Sequence, residues 1–103
     1  MNTTGSITQV GALTVAGGLT TLAAGAANDI VLDTAGNNFS SVAITSANHV
    51  TLDDDTGGVE MAASTVSGNL SLTTVGAITQ TGVLDVTGTS SFNTGAAAIT
   101  LNQ

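Results

Sequence analysis

The residues with the most chemical capacity in this chain are the acids Asp53, Asp54 and Asp55, followed by Gly57, Gly58 and Glu60. Carboxylate oxygens on a glycine-bearing loop suit a hard cation, so Asp53, Asp55 and Glu60 are candidate Ca²⁺ ligands. An EF-hand loop, however, needs its glycine and a terminal bidentate Glu at fixed positions, and the run from Asp53 to Glu60 is too short for it. The nonapeptide repeat of Ca²⁺-binding toxins is not matched either. A solvated corner loop is the preferred reading, and no cofactor is expected. His49 is the single histidine, and with no cysteine in the chain a transition-metal centre is not expected. It precedes Val50 and reads as a corner residue. Glu60 and Asp85 sit in the middle of strand-like triplets, neither with a second acid at an identifiable catalytic separation. No Lys, Arg, Tyr or Trp is present to hold a sugar ring. No catalytic residue is therefore assigned, and an enzyme is not expected. Thr-x-Thr spacing occurs at residues 79–81 and 87–89, but it is not repeated turn after turn as a water-ordering face requires. Asn37, Asn38, Asn48, Asn69 and Asn93 lie at strand approaches, where Asn tolerates left-handed backbone and can bond to a neighbouring turn.

Composition narrows the partners. The seven Asp and Glu are met by no Lys or Arg, for a net charge of −7. Nothing here can neutralise phosphates, so nucleic acid is excluded as a partner. The same lack of cations removes any attraction to anionic lipid. No run of about 18 apolar residues encodes a membrane-spanning helix. The start, MNTTGSITQ, carries no basic and apolar signal segment. Cysteine and proline are both absent. The first removes disulfides and thiolate sites; the second suits a chain whose backbone N–H groups all pair between strands. With 42% hydrophobic residues but only two aromatics, Phe39 and Phe92, the core must be thin and aliphatic.

The elements that would position these residues are short. Apolar-x-apolar triplets recur between Gly, Asn, Asp, Ser and Thr: Leu13-Thr14-Val15, Ile30-Val31-Leu32, Val42-Ala43-Ile44, Val50-Thr51-Leu52, Val59-Glu60-Met61, Leu70-Ser71-Leu72, Leu84-Asp85-Val86 and Ile99-Thr100-Leu101. Period-two alternation predicts strands with one face inward. The best helical candidate, residues 19–27, is broken by Gly25 and lacks a cap. Ile30, Val50 and Leu70 are 20 residues apart, and Val42, Val59, Ile78 and Ile99 form a second series at 17, 19 and 21. Two interleaved series predict a parallel β-helix of about five turns of roughly 20 residues, stacked at about 4.8 Å into a rod about 24 Å tall. An antiparallel meander is disfavoured because two-residue Asn-Gly or Asp-Gly hairpin turns are missing. The whole of residues 1–103 reads as one solenoid segment without caps. Within it GSITQVGALTVAGG returns as GAITQTGVLDVTGT about 71 positions later, and the internal repeat extends over residues 5–32 and 76–101.

The blocks GSITQVGALTVAG, NNFSSVAI, HVTLDD and STVSGNLSLTTVGAITQTGVLDVTGTSSFNTGAAAITL, taken in order, resemble the long repeats of filamentous-haemagglutinin-type adhesins, exoproteins of the two-partner secretion route. The resemblance runs from about Gly5 to Leu101. It implies a right-handed parallel β-helix at the bacterial cell surface, serving as stalk or adhesive fibre, with repeats that are mainly scaffold. The expected function is a structural segment of a secreted surface adhesin that stacks end to end into filaments. Its expected partners are neighbouring repeats or further copies, and host or surface glycans. The alternative is a surface-binding module, for ice or carbohydrate, on the same solenoid.

Overall fold

The computed structural model describes residues 1–15 and 17–102. Ten strands follow one another: β1 (Leu19–Ala23), β2 (Ile30–Leu32), β3 (Ser41–Ser46), β4 (Val50–Asp54), β5 (Val59–Met61), β6 (Ser64–Val66), β7 (Leu70–Thr74), β8 (Ile78–Gln80), β9 (Leu84–Val86) and β10 (Ser90–Asn93). There is no helix among the described residues. Every strand pairing is parallel, and the order β1-β3-β5-β8 makes one sheet, β2-β4-β7-β10 a second and β6-β9 a third. The chain visits the second sheet, then the first, then the third, and returns one layer higher. This is a three-sided β-solenoid of about four turns. A meander would alternate strand direction, and none does.

The triplets explain the strands. In β2, Ile30 and Leu32 are buried and Val31 is exposed; in β5, Val59 and Met61 are buried and Glu60 is exposed. Stacked in register, Ile30, Val50 and Leu70 form one inward column, and Leu32, Leu52, Leu72 and Phe92 another. Full burial of each such aliphatic side chain is worth roughly 1.5–3 kcal/mol. The 20-residue series is thus the observed register. The second series holds for Val59 over Ile78 and for the Ile78–Ile99 bridge. It fails at Val42, which pairs with Met61 because Ser41 aligns with Glu60. Residues 13–15 and 99–101 contribute single bridges, at Thr14 and Ile99, in place of full strands. Residues 19–23 form β1, where β-branched Thr20 and Thr21 favour extension, and Gly25 turns the chain with φ of 94°.

Stacked turns bring backbone against backbone at the corners. A Cβ built on Gly58 would stand 2.1 Å from the Ala77 carbonyl oxygen, so only glycine fits there. The internal repeat also keeps its hydrogen bonds while changing place. Ile7 N–H donates to Asp29 O and Val31 N–H to Ile7 O; Ile78 N–H donates to Ala98 O and Thr100 N–H to Ile78 O. Yet the Ile7–Ile30 bridge extends the second sheet and the Ile78–Ile99 bridge the first. The repeat advances by whole turns plus one face. The body measures 34 × 31 × 21 Å.

Candidate functional site

The polar side chains gather at two corners flanking the second sheet. On entry to that sheet they form a column. Ser6 Oγ accepts the Asp29 N–H at 3.3 Å, Asp29 Oδ1 accepts the His49 N–H at 3.0 Å, His49 Nδ1 accepts the Asn69 N–H at 3.0 Å, and Asn69 Oδ1 accepts the Thr89 N–H at 2.9 Å. Each side chain caps the backbone of the turn above. Acceptance by Nδ1 places the proton of the neutral imidazole on Nε2. Asn48 Nδ2 donates to the same Asp29 oxygen at 3.0 Å, and the backbone beside it climbs from Asn28 O to Asn48 N, then from Asn48 O to Gly68 N. His49 is a corner residue, as its sequence position indicates, Asn69 stands at the approach to β7, and the column absorbs both as structural groups.

On leaving the second sheet the polar groups turn inward. Asn37, Asp54, Thr74 and Thr94 are all buried. Asp54 is held between Phe39 N–H, which donates to Oδ2 at 2.9 Å, and Thr56 N–H, which donates to Oδ1 at 2.8 Å. Thr74 Oγ1 donates to Gly76 O and Thr94 Oγ1 to Ala97 O, both at 2.6 Å. Asn37 exchanges hydrogen bonds with the Gln9 amide and accepts the Leu13 N–H at 2.9 Å. No buried side-chain polar atom among the described residues lacks a partner. Burial, resisted by the two N–H donors and reinforced by the Asp55 charge, leaves the Asp54 carboxyl above the usual aspartate range. Asp53 is raised too, by partial burial first and then by repulsion from Asp33 and Asp55.

The candidate Ca²⁺ ligands go to different places. Asp53 sits on the second sheet in register with Thr73. Asp55 Oδ2 accepts the Gly36 N–H at 2.6 Å, and Glu60, on the first sheet, accepts the Ser41 hydroxyl at 3.0 Å. No group of three acids or histidines suited to a metal ion forms among the described residues. Sequence reasoning missed Asp54 as the corner's inner anchor, although its place two residues before Thr56 is that of an Asx turn. It also missed Asp29, whose signal is its 20-residue offset from His49. Outward columns are chemically mixed: Val31, Thr51, Ser71 and Ser91 on the second sheet, Thr65 and Asp85 on the third. A hollow of about 260 Å³ opens beside the last turn between Leu84, Val86, Phe92 and Leu101, with Gln80 and Ser90 at its rim.

A three-sided stack with capped corners is a repeat architecture, and the family comparison agrees. The family described as repeats of unknown function (DUF5649) matches twice, over residues 1–46 and 47–103, and the chain belongs to it. No curated protein and no solved structure matches the chain.

Proposed function

We propose that this chain is a structural stalk segment of a secreted bacterial surface adhesin, a right-handed coil of five layers that holds distance and performs no catalysis. The observation that carries this reading is the use made of the polar side chains. Asp29, His49, Asn69, Asp54 and Asn37, the residues best equipped for chemistry, are engaged in joining or shaping turns. The five layers follow if the bridges at Ile7 and Ile99 are counted with the four-stranded sheets. Secretion, handedness and the adhesin context rest on the resemblance of the ordered ITQ, LxV, NxF and STVxGNLxL blocks. Stability in such a stack is a sum of interfaces between neighbouring turns, which suits a part that must extend by repetition. Glycans at a host or bacterial surface are the natural targets of whatever such a stalk presents.

Antibody raised against the folded chain should label intact cells of the source bacterium, and shaving with a broad-specificity protease should remove the signal. Trypsin is the wrong reagent, since the chain offers it no Lys or Arg. Labelling that appears only after permeabilisation would overturn the surface assignment.

A further inference from the structure

We propose that His49 is an acid-sensitive latch in the entry column. Neutral, it ties the layer of β4 to the layer of β7; protonated, it releases the layer above and pairs with Asp29 below. This stands on the geometry of one corner and does not depend on the stalk reading. Four links climb the column, and their acceptors are a hydroxyl, a carboxylate, an imidazole and an amide. Of these types, imidazole is the one whose charge ordinarily changes between pH 5 and 8. A proton on Nδ1 occupies the lone pair that accepts the Asn69 N–H, so two donors would face each other across 3.0 Å. The link is then lost.

The surroundings give the ring two positions. In the first it reaches the Asn69 N–H past Gly68, where a Cβ would stand 2.5 Å from Nδ1. Glycine therefore makes the room for the upward bond. The residue itself is exposed, so the ring can turn once that bond is gone. In the second position a carboxylate is waiting. Asp29 lies directly beneath His49, because Ile30 and Val50 are in register. Its Oδ1 holds the His49 N–H and the Asn48 amide, while its Oδ2 has no hydrogen bond among the described residues. The other residues around the ring, from the corners before β2, β4 and β7, are Asn28, Asn48, Gly68 and Asn69, and none of them titrates. Along β4 the next outward residue is Thr51. Asp53 follows four residues from His49, roughly 13 Å at strand spacing and outside the screening length of about 8 Å in 0.15 M salt. The imidazolium thus has a single counter-charge, on the side away from Asn69. Water replaces an exposed hydrogen bond at little cost, so the fold persists and the column parts at one rung. Ser6, Asp29 and His49 stay joined below it, and Asn69 and Thr89 above.

Amide hydrogen exchange of the 103-residue chain, read by NMR and corrected for the intrinsic pH dependence, tests this. The range is about pH 7.5 to about pH 5, across which imidazoles titrate. The Asn69 amide should lose about tenfold in protection. The His49 and Thr89 amides, held by Asp29 and Asn69, should keep theirs and serve as controls in the same column. His49→Asn supplies an acceptor that does not titrate, and should leave Asn69 equally protected at both ends of the range. Asp29→Asn keeps an oxygen for the two bonds at Oδ1 and removes the charge, so the Asn69 transition should move to lower pH. Constant protection at Asn69, or a loss shared equally by His49 and Thr89, would overturn the latch. The same loss in His49→Asn would overturn it too. A transition that Asp29→Asn leaves unmoved would strike out the downward pairing.

Discussion

The two corners of the second sheet use the same kinds of side chain for opposite ends. At the entry corner, Ser6, Asp29, His49 and Asn69 reach to the turn above, so the interaction couples turns. At the exit corner, Thr74 and Thr94 bond within their own turn, and Asp54 divides its oxygens between its own turn and the one before. The entry column is half-exposed or exposed at its side chains, and the exit set is buried. A coupling hydrogen bond in water is cheap to lose, because water can replace it. A buried turn-shaping bond has no such substitute. Stability against substitution should therefore be concentrated at the exit corner.

The largest effect is expected at Gly58, just past that corner. Gly58→Ala drives a Cβ into the Ala77 carbonyl, a backbone atom that cannot rotate away, and should cost about 3 kcal/mol or more. Gly68→Ala meets instead the ends of the His49 and Asn48 side chains, which can move. Chemical denaturation of both variants checks the contrast, and equal losses would break it. Next is Asp54→Ala, which strands the buried Phe39 N–H and should cost about 2 kcal/mol by the same measurement.

A third, smaller effect concerns pH. The Asp53 and Asp54 carboxyls are raised in the folded chain, so the folded state binds their protons more readily than the unfolded state does. Their charged forms therefore cost stability at neutral pH. That cost is relieved as pH falls through the raised folded values, and relief is complete below the ordinary aspartate value of 3.8. The melting temperature should rise on acidification toward that range, and Asp54→Ala should flatten the rise. A melting temperature that falls steadily from neutral pH would contradict it. The smallest effect belongs to the entry corner. His49→Ala removes one exposed acceptor and should cost about 0.5–1 kcal/mol. His49→Asn should cost less, since Asn69 already performs the same task one turn higher. Thermal melts of the pair give the comparison.

Much of this fold is legible in the residues, because an inward column needs the same aliphatic types at a fixed interval. Ile30, Val50 and Leu70 display that interval directly, and the structure stacks them. The irregular places were not legible for physical reasons. Val42 pairs with Met61 because Val59 and Met61 both point inward, and alternation alone leaves a two-residue slip open. β6 escaped notice since its inward Ser64 is polar; its hydroxyl accepts the Ile44 N–H at 3.0 Å, a role that no hydropathy pattern encodes. Among the polar residues, His49 reads as a corner and Asn69 as a strand approach that can bond to a neighbouring turn, and each accepts an N–H from the turn above. Asp54 was not legible, because three consecutive acids give no sign of which one turns inward.

The entry column has one further property, its sense of direction. In all four links the acceptor belongs to the earlier turn and the donor to the later one: Ser6 before Asp29, Asp29 before His49, His49 before Asn69, Asn69 before Thr89. A chain that becomes available from its amino end, whether leaving a ribosome or a pore, presents each acceptor before the amide that needs it. Each finished turn is a template for the next: at this corner its side chains wait as acceptors, while its backbone N–H groups at Ile7, Ile30, Val50 and Leu70 wait as donors for the carbonyls of the turn above.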